Sequence, residues 1–285
     1  MSAALLDAAR VGRDGTLRLR FERRNAVSVV AGCRYTLPLQ VLAPLALADP
    51  AAIVSILNPT GGLVGGDRLA IDVHAASGSH AVLTTPSATR VYRAAGDGTE
   101  QTIRLTLGPG AVVEWVPDHT IPSAGAVFRQ TIDVDIDETA TLILIDAFAA
   151  GRIARGEAWR FTRLDGALSI HDRQGVFLHD RFVLHGSGAG AGAEWDGLGL
   201  AEAHPYFASM AVVGAFDLER FVADVGRLDT PAGPARVAGG ALSRRGVLVR
   251  CLATSAPALG ETLEACWALA RRALLGLRPL TLRKN

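Results

Sequence analysis

The sequence predicts a mainly β protein with a few α-helices, mostly in its C-terminal third. Three observations carry this. Apolar and polar residues alternate with period two in several runs before residue 185. Turn signals separate those runs at short intervals. Helical periodicity becomes clear only after about residue 215.

The elements follow in chain order. In Leu17 to Phe21, apolar Leu17, Leu19 and Phe21 alternate with Arg18 and Arg20. In Gln101 to Leu107, Ile103, Leu105 and Leu107 oppose Thr102, Arg104 and Thr106. Phe128, Ile132, Val134 and Ile136 oppose Arg129, Thr131, Asp133 and Asp135. Each run predicts a strand with one buried face and one wet face. Leu142-Ile143-Leu144-Ile145 does not alternate, which fits a strand buried on both faces. Gly61-Gly62, Gly65-Gly66, Gly96-Asp97-Gly98, Pro109-Gly110, Asp165-Gly166 and Gln174-Gly175 mark turns. No repeat of fixed length is present, so the pattern does not predict a regular solenoid.

The stretch from Gly186 to Ala193 has no side chain able to fix a register and reads as a flexible, exposed loop. Beyond it, Leu218, Phe221, Val222, Val225 and Leu228 sit at helical spacing after Asp217, a suitable N-cap. Gly246 to Thr254 reads as a buried strand. The clearest helix spans Ala258 to Leu275. Its apolar stripe is Leu259, Leu263, Cys266, Trp267, Ala270 and Leu274, with Glu261, Glu264, Arg271 and Arg272 largely outside it. Pro257 suits the first turn and Gly276 the C-terminal cap. We expect one unit over residues 1–285, with a strand-rich part at 15–185, the loop at 186–194 and a mixed part at 198–277.

Composition excludes several classes. The chain has 285 residues, 49% of them hydrophobic, with 29 Lys+Arg against 28 Asp+Glu. That is too apolar and too neutral for disorder, and it lacks the basic surplus of a nucleic-acid binder. The longest apolar runs are broken by Asp49, Pro50 and Asp146, so no membrane span is expected. Residues 1–15 hold no stretch like a signal peptide, and Cys33, Cys251 and Cys266 form no CxxC pair. Reduced cysteines in a cytoplasmic protein are the expectation.

Catalytic signatures are missing. The seven histidines show no HExxH, and there is no GxSxG. The Gly-rich run at 61–66 lacks the Lys-Ser/Thr of a phosphate loop and precedes a strand. The acids are more informative. Asp67 follows a double glycine, Asp146 interrupts an apolar strand, Glu114 sits between Val113 and Trp115, Glu157 follows Gly156, and Asp180 lies between apolar runs. A carboxylate in an apolar strand is costly unless it is paired, bound to a cation or wet. Two readings stay open: ion pairs with sequence neighbours Arg68, Arg152, Arg155 and Arg181, or the lining of an internal polar passage.

Several motifs carry a family resemblance. Asn58-Pro-Thr-Gly61-Gly62-Leu-Val-Gly65-Gly66-Asp67 resembles the signature of the urease accessory protein UreD (UreH) family. The segment containing Thr84, Thr85, Thr89, Tyr92 and Arg93 resembles its TTP-x-A-x-K/R-x-YR stretch. Glu114-Trp-Val-Pro117 with Thr120-Ile-Pro122 resembles its LEW-x-P region. Gly151, Arg152, Gly156 and Glu157 resemble its GR-x-x-x-GE signature, and Arg271 to Gly276 its last helix. The tail Arg278 to Asn285 and His119 depart from the family pattern.

The resemblance implies a fold and a role. The fold is a β-helix-like winding of strands with a few helices. The role is that of a scaffold, not an enzyme. It binds urease apoprotein and the helical protein UreF, and through UreF the GTPase UreG. The assembly delivers Ni²⁺ to urease, and no permanently bound cofactor is implied. A conduit cannot hold its cargo as a storage site does. A Kd of about 1 nM would retain the metal by roughly 12 kcal/mol, whereas scattered carboxylates and hydroxyls attract and release. By their place in these motifs, Asp67, Thr89, Asp146 and Asp180 are candidate lining groups for transient nickel, with Glu157 and Glu114 as weaker ones. Alternatives are a protein-binding β scaffold with no passage and a β-helical enzyme acting on polysaccharide.

Overall fold

The computed structural model describes residues 14–45, 47–94, 96–187, 201–230 and 233–282. Residues 1–13 of the N-terminal segment read for a signal peptide, and most of the Gly/Ala loop, lie outside the described residues. Gly186 and Ser187, at the start of that loop, are described and are not loose. The backbone N–H groups of Gly186 and Ser187 donate to the carbonyls of Thr162 and Trp159.

Seventeen strands form among the described residues. They are β1 (Asp14–Arg24), β2 (Val27–Tyr35), β3 (Gln40–Val41), β4 (Ala52–Leu57), β5 (Arg68–Ala75), β6 (His80–Thr84), β7 (Thr89–Val91), β8 (Thr99–Leu107), β9 (Val112–Trp115), β10 (Thr120–Pro122), β11 (Val127–Ile136), β12 (Thr141–Ala149), β13 (Arg163–Asp172), β14 (Gly175–His185), β15 (Tyr206–Val213), β16 (Ala235–Ala241) and β17 (Gly246–Ala253). Two helices follow the solenoid-like part: α1 (Leu218–Gly226), between β15 and β16, and α2 (Ala256–Ala270), after β17.

The chain shuttles between two facing sheets. The first has the order β14-β13-β11-β8-β5-β1-β2; the second runs β16-β17-β15-β12-β9-β6-β4-β3, with β7 and β10 paired to each other and β10 to β12. Neighbours β5, β8, β11 and β13 are parallel, as are β4, β6, β9 and β12. Each parallel step in one sheet therefore passes through the other, which is a β-solenoid-like winding. The starts of its turns in the second sheet, at Ala52, His80, Val112 and Thr141, are unevenly spaced. The winding exists without a fixed-length repeat because the connections vary while the strands stay in register.

Two apolar layers result. One lies between the sheets, built from the inward residues Leu17, Leu19, Ile71, Ile103, Ile132, Leu142 and Leu144. The second lies between the outer face of the second sheet and the helices, built from Ile143, Ile145, Val212, Phe221, Leu259 and Cys266. Strand β12 contributes to both, which explains its non-alternating sequence.

Helix α1 begins as its sequence predicts, while α2 begins at Ala256, two residues before the expected Ala258. The Asp217 carboxylate accepts the Arg220 N–H at 3.0 Å, and Ser255 caps α2 by accepting the Ala258 N–H. Pro257 lies in the first turn of α2, and Gly276 ends the element in the left-handed region. Two details correct the sequence reading. The α-helix stops at Ala270, and Arg271–Leu275 continue as a wider π turn. Arg271, expected outside the apolar stripe, is fully buried. No helix among the described residues is long and apolar enough to cross a membrane.

Candidate functional site

One inward rung of the first sheet is polar. Leu69, Gln101, Gln130, Gly166 and Phe182 stand in register across β5, β8, β11, β13 and β14. Opposite them, Asp146, Ser209 and Arg250 form a rung across β12, β15 and β17. The two rungs touch. Gln101 Nε2 donates to Gln130 Oε1 at 2.9 Å, and Gln130 Nε2 donates to Asp146 Oδ1 at 2.8 Å.

Around this contact is an inner cavity of about 60 Å³, whose polar lining includes Asn58, Thr85, Thr89, Gln101, Gln130 and Asp146, with Pro117 also on its wall. It adjoins a depression of about 170 Å³ at the loops Asn58–Gly62 and Thr85–Arg90, and the two share Asn58, Thr85 and Thr89. On its other side Asp146 is shared with a depression of about 340 Å³ that is walled by Phe148, Trp159, Phe182 and Phe207 and also lined by His204, Ser209 and Arg250. Hydroxyls, amides and the carboxylates of Asp118 and Asp146 thus line the inner cavity, which shares wall residues with a depression on each side.

Asp146 is its most perturbed group. Burial pushes its carboxyl up to about 7; the Gln130 amide opposes this, and the negative charge of Asp180 adds to it. Near neutral pH the group is poised between its acid and its carboxylate. Asp180 does not line the depression itself but pairs with Arg250, which does. Arg250 donates to Asp180 Oδ1 and to Ser209 Oγ, each at 2.6 Å.

The other sequence-selected acids lie elsewhere. Asp67 is buried in the turn before β5, where its Oδ2 accepts the Val64 N–H at 2.8 Å and its carbonyl accepts the Glu100 N–H; it is not among the residues lining the cavity. Glu157 forms a paired ion bridge with Arg152 at 2.6 and 2.7 Å and accepts the Ala124 N–H. The Arg152 hydrogen bonds hold its carboxyl below the usual range. The ion-pair reading is therefore right for Glu157 with its sequence neighbour.

For Glu114 and Asp180, pairing occurs with distant arginines instead. Glu114 faces the helices, not the space between the sheets, because it has the opposite parity to Val113 and Trp115 on β9. It accepts from His80 Nε2 at 2.6 Å, from Trp267 Nε1, and from Arg271 at 3.1 and 3.2 Å; Arg271 also binds Asp49. Asp180 binds Arg250, while its neighbour Arg181 lies 3.6 Å from Asp165. Sequence reasoning missed Arg250, Gln101 and Gln130. The two glutamines were visible as polar residues at inward positions of otherwise apolar strands.

The remaining motif residues build the turns around the cavity. The Tyr92 hydroxyl donates to the Gly61 carbonyl, and a side chain on Gly62 would lie 2.7 Å from the Arg90 carbonyl oxygen. Gly65 packs on Ala94, and the Gly66 N–H donates to the Gly98 carbonyl. Thr84 Oγ1 donates to the Val116 carbonyl, and Thr85 Oγ1 accepts the Asp118 N–H. Arg93 packs against Gly125. Arg152 and Glu157 clasp a short 3₁₀ turn, Ile153–Arg155, which Gly156 ends in the left-handed region. Gly151 (φ +148°) brings its Cα against the Glu157 carbonyl, so a Cβ there would lie 2.2 Å from that oxygen.

No group of three or more His, Cys, Asp or Glu able to hold a metal ion gathers among the described residues. The cavity wall instead offers oxygen donors dispersed along it.

Comparison with known proteins places the chain in a family. Positions 13–285 match the family described as UreD urease accessory protein. The urease accessory protein UreD of Alkalilimnicola ehrlichii is 33% identical over 269 residues, covering 94% of this chain and 89% of that protein. The UreD of Delftia acidovorans is 34% identical over 300 residues, covering 96% of each. That of Pseudomonas fluorescens is 35% identical over 263 residues, covering 91% of this chain and 90% of its own. With its motifs, its winding and this match over nearly its full length, the chain belongs to the UreD urease accessory protein family.

Proposed function

We propose that this chain is a non-catalytic cytoplasmic scaffold in urease maturation that passes Ni²⁺ along the polar line between its sheets. It binds urease apoprotein and UreF, and reaches the GTPase UreG through UreF. The metal is cargo rather than a resident cofactor. The observation that supports the passage is that the inner cavity shares wall residues with a depression on each side, Thr89 with one and Asp146 with the other.

The chemistry of the lining supports transfer over storage. Gln101 and Gln130 present amide oxygens and N–H groups able to bind the water around a cation. Asp146 supplies the negative charge inside. Because its carboxyl is held near 7, arrival of a divalent cation favours loss of its proton, and departure favours the proton's return. The site thus carries more negative charge when the cation is present than when it is absent.

The test is Asp146→Leu in cells making urease and its accessory proteins. The expected result is normal assembly with apo-urease and UreF, together with lower nickel content and activity of the purified urease. Asp67→Leu is the comparison: it removes a turn acceptor outside the cavity, so it should lower yield and stability before it affects nickel transfer. Normal nickel loading by a well-folded Asp146→Leu protein would refute the passage and leave a binding scaffold.

A further inference from the structure

We infer that the Arg250–Asp180 ion pair is a gate at the end of the polar line beside Asp146, closed when the guanidinium sits on Asp180 and opened when it swings away. This rests on the passage proposed above and adds a moving part to it.

The pair bridges the two sheets. Asp180 comes from β14, the edge strand of the first sheet, and Arg250 from β17 of the second. The strand pairings join β14 only to β13 and β17 only to β15 and β16, so side chains make this crossing. Arg250 uses both terminal nitrogens, one on Asp180 Oδ1 and one on Ser209 Oγ, each at 2.6 Å; Ser209 Oγ also lies 3.4 Å from Asp180 Oδ2. Ser209 is the cross-strand partner of both Asp146 and Arg250. Arg250 therefore stands with one strand, β15, between it and Asp146, a carboxylate on the wall of the inner cavity.

Charge explains what the pair does. With Arg250 in place, a positive group faces any cation at this mouth, and Asp180 is already neutralised. With Arg250 away, Asp180 and Asp146 present two carboxylates close enough to feel each other's charge. Two free carboxylates with the Ser209 hydroxyl would hold a divalent cation more firmly than one. The guanidinium therefore keeps the site weak at rest and yields only while a cation passes. Exposure shows which partner moves: the Asp180 side chain is 15% exposed and the Arg250 side chain 52%, so the long, wet arginine can leave while the aspartate stays.

The test compares variants in two assays: equilibrium dialysis of the purified chain against Ni²⁺, and nickel content of urease matured with it. Arg250→Gln is expected to bind Ni²⁺ at least tenfold more tightly than the unaltered protein and to load urease with less nickel. Arg250→Gln with Asp180→Asn is expected to lose the added affinity, an outcome that a merely structural role for the pair would not produce. Asp180→Asn alone leaves Arg250 uncompensated at the mouth, so loading is expected to fall with no gain in affinity. It also serves if Arg250→Gln fails to fold.

Unchanged affinity for folded Arg250→Gln, or normal loading with Asp180→Asn, overturns the gate. Asp146→Leu separates the two ideas. If it blocks loading while the Arg250 and Asp180 variants behave normally, the gate is wrong and the passage stands. If it too loads normally, the passage has failed and the gate with it.

Discussion

Replacing Glu114 with alanine tests the reading that the last helix is anchored by a buried charge network. Glu114 and Arg271 are both fully buried, and the carboxylate is the shared acceptor for His80, Trp267 and Arg271. The substitution leaves Arg271 charged in the apolar layer beneath the helices with Asp49 as its remaining acidic partner. Breaking one side of a buried pair costs about 3–5 kcal/mol. Global stability is typically about 5–15 kcal/mol, so the loss is a large fraction of the total.

Equilibrium urea unfolding of the purified chain measures it, and hydrogen exchange locates it. The helix α2 and the π turn at Arg271–Leu275 should lose protection before the strands between the sheets do. The triple variant Asp49→Asn, Glu114→Leu and Arg271→Met removes all three charges of the network and should recover most of the loss. A Glu114→Ala protein within about 1 kcal/mol of the parent would refute the anchoring role. So would a triple variant as unstable as the sum of the singles.

Three further outcomes follow from the geometry. Gly151→Ala forces a Cβ against the Glu157 carbonyl in a backbone region that L side chains avoid, and should destabilise by about 3 kcal/mol or more in thermal unfolding. Cys251 and Cys266 are buried, with thiols pushed up to about 12 by that burial, so a thiol reagent on the native protein should modify Cys33 alone and reach all three only in denaturant. Asp146 has a folded pKa of about 7 against an ordinary 3.8. Its contribution favours the folded state below about pH 4 and is lost as pH rises toward 7. Asp146→Asn should flatten that part of the stability profile; an unchanged slope would show that the carboxyl is not held in its acid form.

Local features were legible because their causes are local. The Asp217 cap, the turn that ends at Gly276 and the Arg152–Glu157 clasp each involve residues a few positions apart. Alternation in β1, β8 and β11 also read correctly, since a half-buried strand must place every second residue inward. The run at Leu142–Ile145 announced a strand covered on both faces, and β12 does lie between the two apolar layers. The winding was less legible from pattern, because uneven connections erase any fixed repeat. Its expectation came from the motifs.

The acids mark the boundary between the two kinds of information. By itself, the sequence determined that carboxylates interrupt apolar strands and that each must be compensated, because an isolated charge in such a layer is too costly to persist. It also determined the mainly β class and the family, through residue types and their order. Only the tertiary structure decided which compensation each acid received. Period two separates the faces of a strand but does not say which sheet or helix covers a face. Glu114 therefore turned toward Arg271, far along the chain, while Asp146 turned inward toward Gln130. Asp180 met Arg250 only because the two sheets fold against each other at that edge. The acids resemble one another in sequence; packing made one an anchor for a helix, one part of a cavity wall and one half of an ion pair between the sheets.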